Sequence, residues 1–151
     1  MNNPEFNENL HREVKKFRDA IIQSKVWDRP LKFPKGYCKI ASLILAKYLI
    51  EKRNFKPSLM FCVLTGEKAN YKNNAFAEQT HAWLEYQEFT IDITANQFPE
   101  IVEEIVITTG WIWGEKFCKG VEKIPIKEML DLGPHVIEIY DKVLATLESS
   151  Q

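Results

Sequence analysis

Residues 81–94, HAWLEYQEFTIDIT, contain two short runs that alternate apolar and polar residues on either side of Gln87-Glu88. Such alternation is typical of β-strands, and a two-residue connection between two such runs predicts an antiparallel hairpin. The register that this turn sets gives three cross-strand pairs: Tyr86 with Phe89, Leu84 with Ile91, and Trp83 with Asp92. A four-residue loop would keep the same residues on the same face.

One face of this hairpin is wholly apolar, with Ala82, Leu84, Tyr86, Phe89, Ile91 and Ile93. The other face carries His81, Trp83, Glu85, Thr90, Asp92 and Thr94. Asp92 lies diagonal to His81, and diagonal neighbours are about 7–8 Å apart at the backbone, within reach of a carboxylate and an imidazole. The alternative interpretation is a half-exposed hairpin whose polar face meets water.

Upstream of the hairpin, residues 33–49 read FPKGYCKIASLILAKYL. The proline and glycine at its start are typical of a loop, and the run after them predicts a helix from Tyr37 or Cys38 to about Arg53. This helix is apolar nearly all round, so we expect it to be buried on most sides. Cys38 therefore stands where the helix begins.

The remaining chain predicts further elements on both sides of these two segments. They are an amphipathic helix over 8–24, a buried strand over 58–65, a surface loop over 66–79, a turn or short helix over 95–104, one or two strands over 105–113, and a last helix that starts at Gly133-Pro134. Helices, then strands, then a helix indicate an α+β fold with a mainly antiparallel sheet. We expect a single domain over residues 1–151.

Composition narrows the classes of function. The chain has 20 basic and 21 acidic residues and a net charge of −1, so it carries no electrostatic footprint for nucleic acid or an anionic membrane. No window predicts a transmembrane span or a signal peptide, so the expected compartment is the cytoplasm, with export by a route that needs no N-terminal signal left open. The three cysteines form no C-x-x-C pair, which argues against a disulfide framework and a zinc ribbon.

Cys38, His81 and Asp92 have the residue types that thiol chemistry needs. A helix N-terminus lowers the pKa of a cysteine, an imidazole takes its proton, and a carboxylate orients that imidazole. Gly36 would let a substrate backbone approach the sulfur, and the Cys38 N–H would be the first oxyanion donor. Three residues remain open as the second donor: Gln23, Trp27 and Gln97.

Three motifs in order, GYCKIAS (36–42), HAWLE (81–85) and IDIT (91–94), resemble the transglutaminase-like superfamily of papain-related cysteine enzymes. The resemblance covers about residues 33–98. It implies Cys38 as nucleophile, His81 as general base and acid, and Asp92 as the residue that orients His81, with Trp83 and Glu85 as structural companions. It also implies attack on an amide carbonyl of a peptide or protein substrate and a thioester intermediate. Hydrolysis, deamidation and transfer to an amine all stay open, and no metal or organic cofactor is expected.

Four aromatic residues are candidates for contact with the substrate: Tyr37, Trp83, Trp111 and Trp113. For Trp111 and Trp113, core or edge packing is the alternative. Cys62, inside LMFCVL, is expected to be an inert core thiol.

Two other functions remain open. A catalytically inactive relative would keep the fold and bind a peptide or protein. An unrelated interaction protein, in which the order of the motifs is chance, would have Cys38 buried and far from His81.

Overall fold

The computed structural model describes residues 4–26, 37–64, 81–97, 102–109 and 122–150. Within these ranges the fold is α+β, as predicted, with three helices and one antiparallel sheet of five strands. The helices are α1 (Pro4–Ser24), α2 (Cys38–Arg53) and α3 (Pro134–Ser149). The strands are β1 (Met60–Leu64), β2 (Ala82–Tyr86), β3 (Phe89–Asp92), β4 (Val106–Thr109) and β5 (Glu122–Pro125).

The strands lie in the order β4-β3-β2-β1-β5, so the β2–β3 hairpin is central rather than marginal. Its predicted pairs of Tyr86 with Phe89 and of Leu84 with Ile91 are confirmed. Gln87 has a positive φ of 54° at the first turn position, where the primed turns of two-residue hairpins require it. Its N–H donates to the Leu59 carbonyl at 3.0 Å, which stabilises a conformation that glutamine seldom adopts.

Helix α2 is the central helix of the core. Its residues from Ala41 to Ala46 are all buried, as its apolar sequence predicts. The apolar face of the hairpin belongs to the same hydrophobic core, together with one face of α1 and of α3. Phe17 of α1 stacks on Tyr48 of α2 with ring centroids 4.8 Å apart. This core holds the start of α2 against the end of the sheet that carries His81.

Some boundaries differ from the prediction. Helix α1 begins at Pro4 rather than at residue 8, and residues Pro57–Leu59 form a short 3-10 turn before β1. Strand β5 was not predicted, because it is short, two of its four residues are charged and it ends at Pro125. Within sheets, proline is confined mainly to edge strands and strand ends. The predicted surface loop over 66–79 and residues 110–121, which include Trp111, Trp113 and Cys118, lie outside the described residues.

Candidate active site

The polar face of the hairpin is buried. His81, Thr90, Asp92 and Thr94 are each 1% exposed, so the interpretation of a half-exposed hairpin is wrong. A polar group in such a position costs free energy unless it is hydrogen-bonded, and a charged group costs more. Three of them, His81, Asp92 and Thr94, form a hydrogen-bonded set.

Asp92 is the centre of that set. Its Oδ2 lies 2.6 Å from His81 Nε2. Its Oδ1 accepts the Thr94 N–H at 2.9 Å and the Thr94 hydroxyl at 3.3 Å. Both carboxylate oxygens are thus engaged, which fixes the plane of the carboxylate and the orientation of the imidazole.

Cys38 is the first residue of α2 and is buried, with 9% of the residue exposed. It lies close enough to His81 to help raise the pKa of that imidazole, whose Nε2 faces Asp92. The Ser42 hydroxyl, one turn along α2, donates to the Ala82 carbonyl at 3.4 Å and ties the start of the helix to the residue after His81.

His81 combines deep burial with a raised pKa. Burial disfavours the imidazolium and would lower its pKa, but the charge and hydrogen bond of Asp92, helped by Cys38, raise the pKa to about 9. The imidazolium is therefore the stable form at neutral pH. The Trp83 ring, itself fully buried, lies 5.5 Å from the imidazole between ring centroids and packs beside it.

The start of α2 favours negative charge. The first turn contains no acidic residue, Lys39 beside Cys38 is exposed, and the Tyr37 side chain does not cap the helix. Backbone N–H groups in the first turn of a helix have no intrahelical partner, and the macrodipole is positive there.

Cys62 has the opposite environment. It is 0% exposed on β1, and burial, followed by the proximity of Cys38, raises its pKa to about 12. The prediction that it is a buried core thiol is confirmed. Of these two described cysteines, Cys38 is the one that lies beside His81.

The other predicted site residues have different outcomes. Tyr37 is half-buried at the N-cap of α2, beside Cys38. Among the candidates for the second oxyanion donor, Gln23 lies on α1 and accepts the Ser150 hydroxyl at 3.3 Å. Trp27, the Gln97 side chain and Gly36 lie outside the described residues, as do Trp111 and Trp113.

Sequence reasoning missed Arg18, which is 2% exposed and hydrogen-bonds to the turn after Asp92. A signal for it was present. Arg18 is four residues after Val14 and three before Ile21, both buried, so helical periodicity puts this charged residue on the apolar face of α1.

The described residues contain no group of three or more His, Cys, Asp or Glu side chains placed to hold a metal ion. Among the same residues, none of the helices has both the length and the apolar composition of a membrane span. Comparisons of the chain with protein-family models, with curated proteins and with solved structures found no match.

Proposed function

We propose that this protein is a cysteine-dependent enzyme that attacks amide carbonyl groups of peptide or protein substrates and forms a thioester at Cys38. The observation that supports it best is the buried pair of His81 and Asp92, 2.6 Å apart, with Cys38 close enough to help raise the pKa of the same imidazole. Cys, His and Asp also occur in the chain order of the transglutaminase-like superfamily, to which we propose the domain belongs. The cytoplasmic location expected from the sequence stays a prediction.

In the proposed resting state, the proton of Cys38 is already on His81, so the pair is a thiolate and an imidazolium. The resulting imidazolium donates through Nε2 to Asp92 and through Nδ1 to the thiolate, so one ring bridges two negative charges. Asp92 stabilises the imidazolium and fixes the ring, the role of the third member of a catalytic triad. A raised His81 pKa favours the ion pair over the neutral thiol and imidazole.

In the acylation step, the thiolate attacks the carbonyl carbon and a carbon–sulfur bond forms. The negative charge that develops on the carbonyl oxygen would be stabilised by the Cys38 N–H at the start of α2. As the tetrahedral intermediate collapses, the carbon–nitrogen bond breaks and His81 gives its proton to the leaving amine or ammonia. A thioester at Cys38 and a neutral His81 remain.

In the second step, neutral His81 takes a proton from water or from an amine acceptor as that acceptor attacks the thioester. The carbon–sulfur bond breaks, the thiolate leaves and the ion pair is restored. Water gives hydrolysis or deamidation, whereas an amine gives a new amide. The described residues favour neither acceptor.

An activated ester tests this proposal without knowledge of the natural substrate. p-Nitrophenyl acetate should release p-nitrophenolate in a burst and acetylate Cys38, as read by peptide mass spectrometry. Cys38→Ala should lose the burst, whereas Cys62→Ala, the matched control, should keep it. Release from Cys38→Ala at the wild-type rate would overturn the proposal and favour the catalytically inactive alternative.

A further inference from the structure

Arg18 is a charged side chain in the core of the protein. It lies on α1 between buried apolar residues, and its side chain is 3% exposed. Burial lowers the pKa of Arg18, while Glu104, Asp19 and Asp92 counteract that effect. A buried guanidinium stabilises a fold no better than a well-packed apolar side chain, so its presence points to a specific task.

The contacts of Arg18 converge on the turn that follows β3. Its Nε–H donates to the Ile93 carbonyl at 2.9 Å and its Nη2 donates to Asn96 Oδ1 at 3.1 Å. The third nitrogen, Nη1, lies 3.5 Å from the carboxylate of Glu104, which is largely exposed. The planar guanidinium therefore holds both the Ile93 carbonyl and the Asn96 side chain in the segment that begins at Asp92.

We propose that Arg18 is a positioning residue for Asp92: its guanidinium fixes the turn after β3, and thereby the direction in which Asp92 presents its carboxylate to His81. The role extends the proposed function, on which it rests. Thr94 clamps Asp92 Oδ1 through its own N–H and hydroxyl, and the peptide held by Arg18 at Ile93 lies between them. A change in that peptide would rotate the carboxylate away from His81.

The direction in which the pKa of His81 changes when Arg18 is replaced distinguishes this positioning role from a simple effect of charge. Removing a positive charge near Asp92 and His81 would by itself favour the imidazolium and raise the pKa of His81. Loss of positioning weakens the bond between His81 and Asp92 and lowers that pKa. Among the described residues, the charged groups that act on Arg18 are Asp19 on its own helix, Asp92 at the end of β3 and Glu104 before β4. The groups that act on His81 are Asp92 and Cys38.

The test is NMR titration of ¹⁵N-histidine-labelled protein, in which the exposed His11 and His135 serve as internal references. Arg18→Gln should lower the pKa of His81 by about one unit, a tenfold loss of imidazolium stability. Arg18→Lys, which keeps the charge but not the planar guanidinium, should lower it less. Arg12→Gln, on the exposed face of the same helix, should leave it unchanged.

An unchanged or raised His81 pKa in folded Arg18→Gln would overturn the positioning role. If Arg18→Gln does not fold, Asn96→Ala removes one of the two turn contacts and should lower the His81 pKa in the same direction; no change there would overturn the role equally. The proposed function has a separate readout, the ester burst at Cys38 in the wild type. If the wild type shows no burst, the proposed enzyme activity is refuted. If the wild type shows the burst but Arg18→Gln does not lower the His81 pKa, the positioning role alone is refuted.

Discussion

Asp92→Asn is expected to remove the pH dependence that His81 gives to the stability of the fold. Burial alone would lower the pKa of His81, but Asp92, helped by Cys38, raises it from 6.5 to about 9. A group with a raised pKa in the folded state stabilises the fold below its unfolded pKa, and this stabilisation is lost as pH rises through the folded pKa. The contribution of His81 is therefore complete below pH 6.5 and lost by about pH 9.

The magnitude follows from the two pKa values. They differ by about 2.5 pH units, and each unit corresponds to about 1.4 kcal/mol. The free energy of unfolding should thus fall by about 3 kcal/mol from His81 alone between about pH 6 and about pH 9. In Asp92→Asn, burial acts on His81 without the opposing charge, so the pKa drops below 6.5 and this fall is absent.

Urea unfolding at several pH values measures how the destabilisation by Asp92→Asn changes with pH. The parent protein and the Asp92→Asn variant should both carry Cys38→Ala, because the Cys38 thiol would otherwise take part in the titration. The destabilisation by Asp92→Asn should be largest at about pH 6 and shrink by at most about 3 kcal/mol toward about pH 9, because the part of the pKa rise that Cys38 contributes is absent from this background. Cys62, whose pKa is raised from 9.0 to about 12, acts only near and above pH 9 and acts equally in both proteins.

Asp19→Asn is the matched control, because Asp19 is a surface carboxylate on α1 that pairs with Lys15 at 3.0 Å. Its effect on stability should be small and should not vary between about pH 6 and about pH 9. If the free energy of unfolding varies with pH in the same way for Asp92→Asn and its parent over that range, Asp92 does not hold a proton on His81 and the prediction is wrong.

Three further predictions concern single positions. Thr94→Val removes one hydroxyl that donates to Asp92, and should lower the free energy of unfolding by about 1 kcal/mol in urea titrations; an unchanged midpoint would contradict the role of this bond. Cys62 should resist iodoacetamide in the folded protein at about pH 8 and react once urea unfolds it, because it is fully buried with a raised pKa; equal labelling in both states would show that the core opens. Asn54→Ala should cost about 1 kcal/mol in thermal or urea unfolding, because Asn54 ends α2 with φ of 60°, whereas Asn54→Gly should be neutral or stabilising; the reverse order would contradict the left-handed cap.

The sequence was sufficient for the hairpin and for α2. Alternation in residues 81–94 specifies which side chains share a face, and a register error of one residue would expose an entire apolar face to water. The apolar run after Cys38 likewise fits only a helix buried on most sides. These local patterns bring His81 and Asp92 together and place Cys38 at a helix start.

The sequence was insufficient where a property depends on a distant part of the chain. The burial of Thr90 and Asp92 follows from β4 pairing beside β3 and from packing above the sheet, which alternation within one hairpin does not encode. Arg18 donates to a carbonyl 75 residues away, and in the sequence it resembles its charged neighbour Asp19, which is exposed. Strand β5 exists because β1 offers it an edge, not because its four residues favour a strand.

The central claim is that His81 converts Cys38 into a nucleophile. The most direct test is the rate of Cys38 alkylation by iodoacetamide against pH, read for each cysteine by peptide mass spectrometry, in the wild type and in His81→Gln. Glutamine keeps a donor for Asp92, and thermal unfolding confirms that the variant is folded. Wild-type Cys38 is expected to be labelled rapidly well below pH 8.5, which is about the pKa of a free thiol. In His81→Gln, the pH at which labelling reaches half its maximal rate should rise to about 8.5 or beyond. Labelling of wild-type Cys38 no faster than that of an ordinary thiol, and unaffected by the loss of His81, would contradict the central claim.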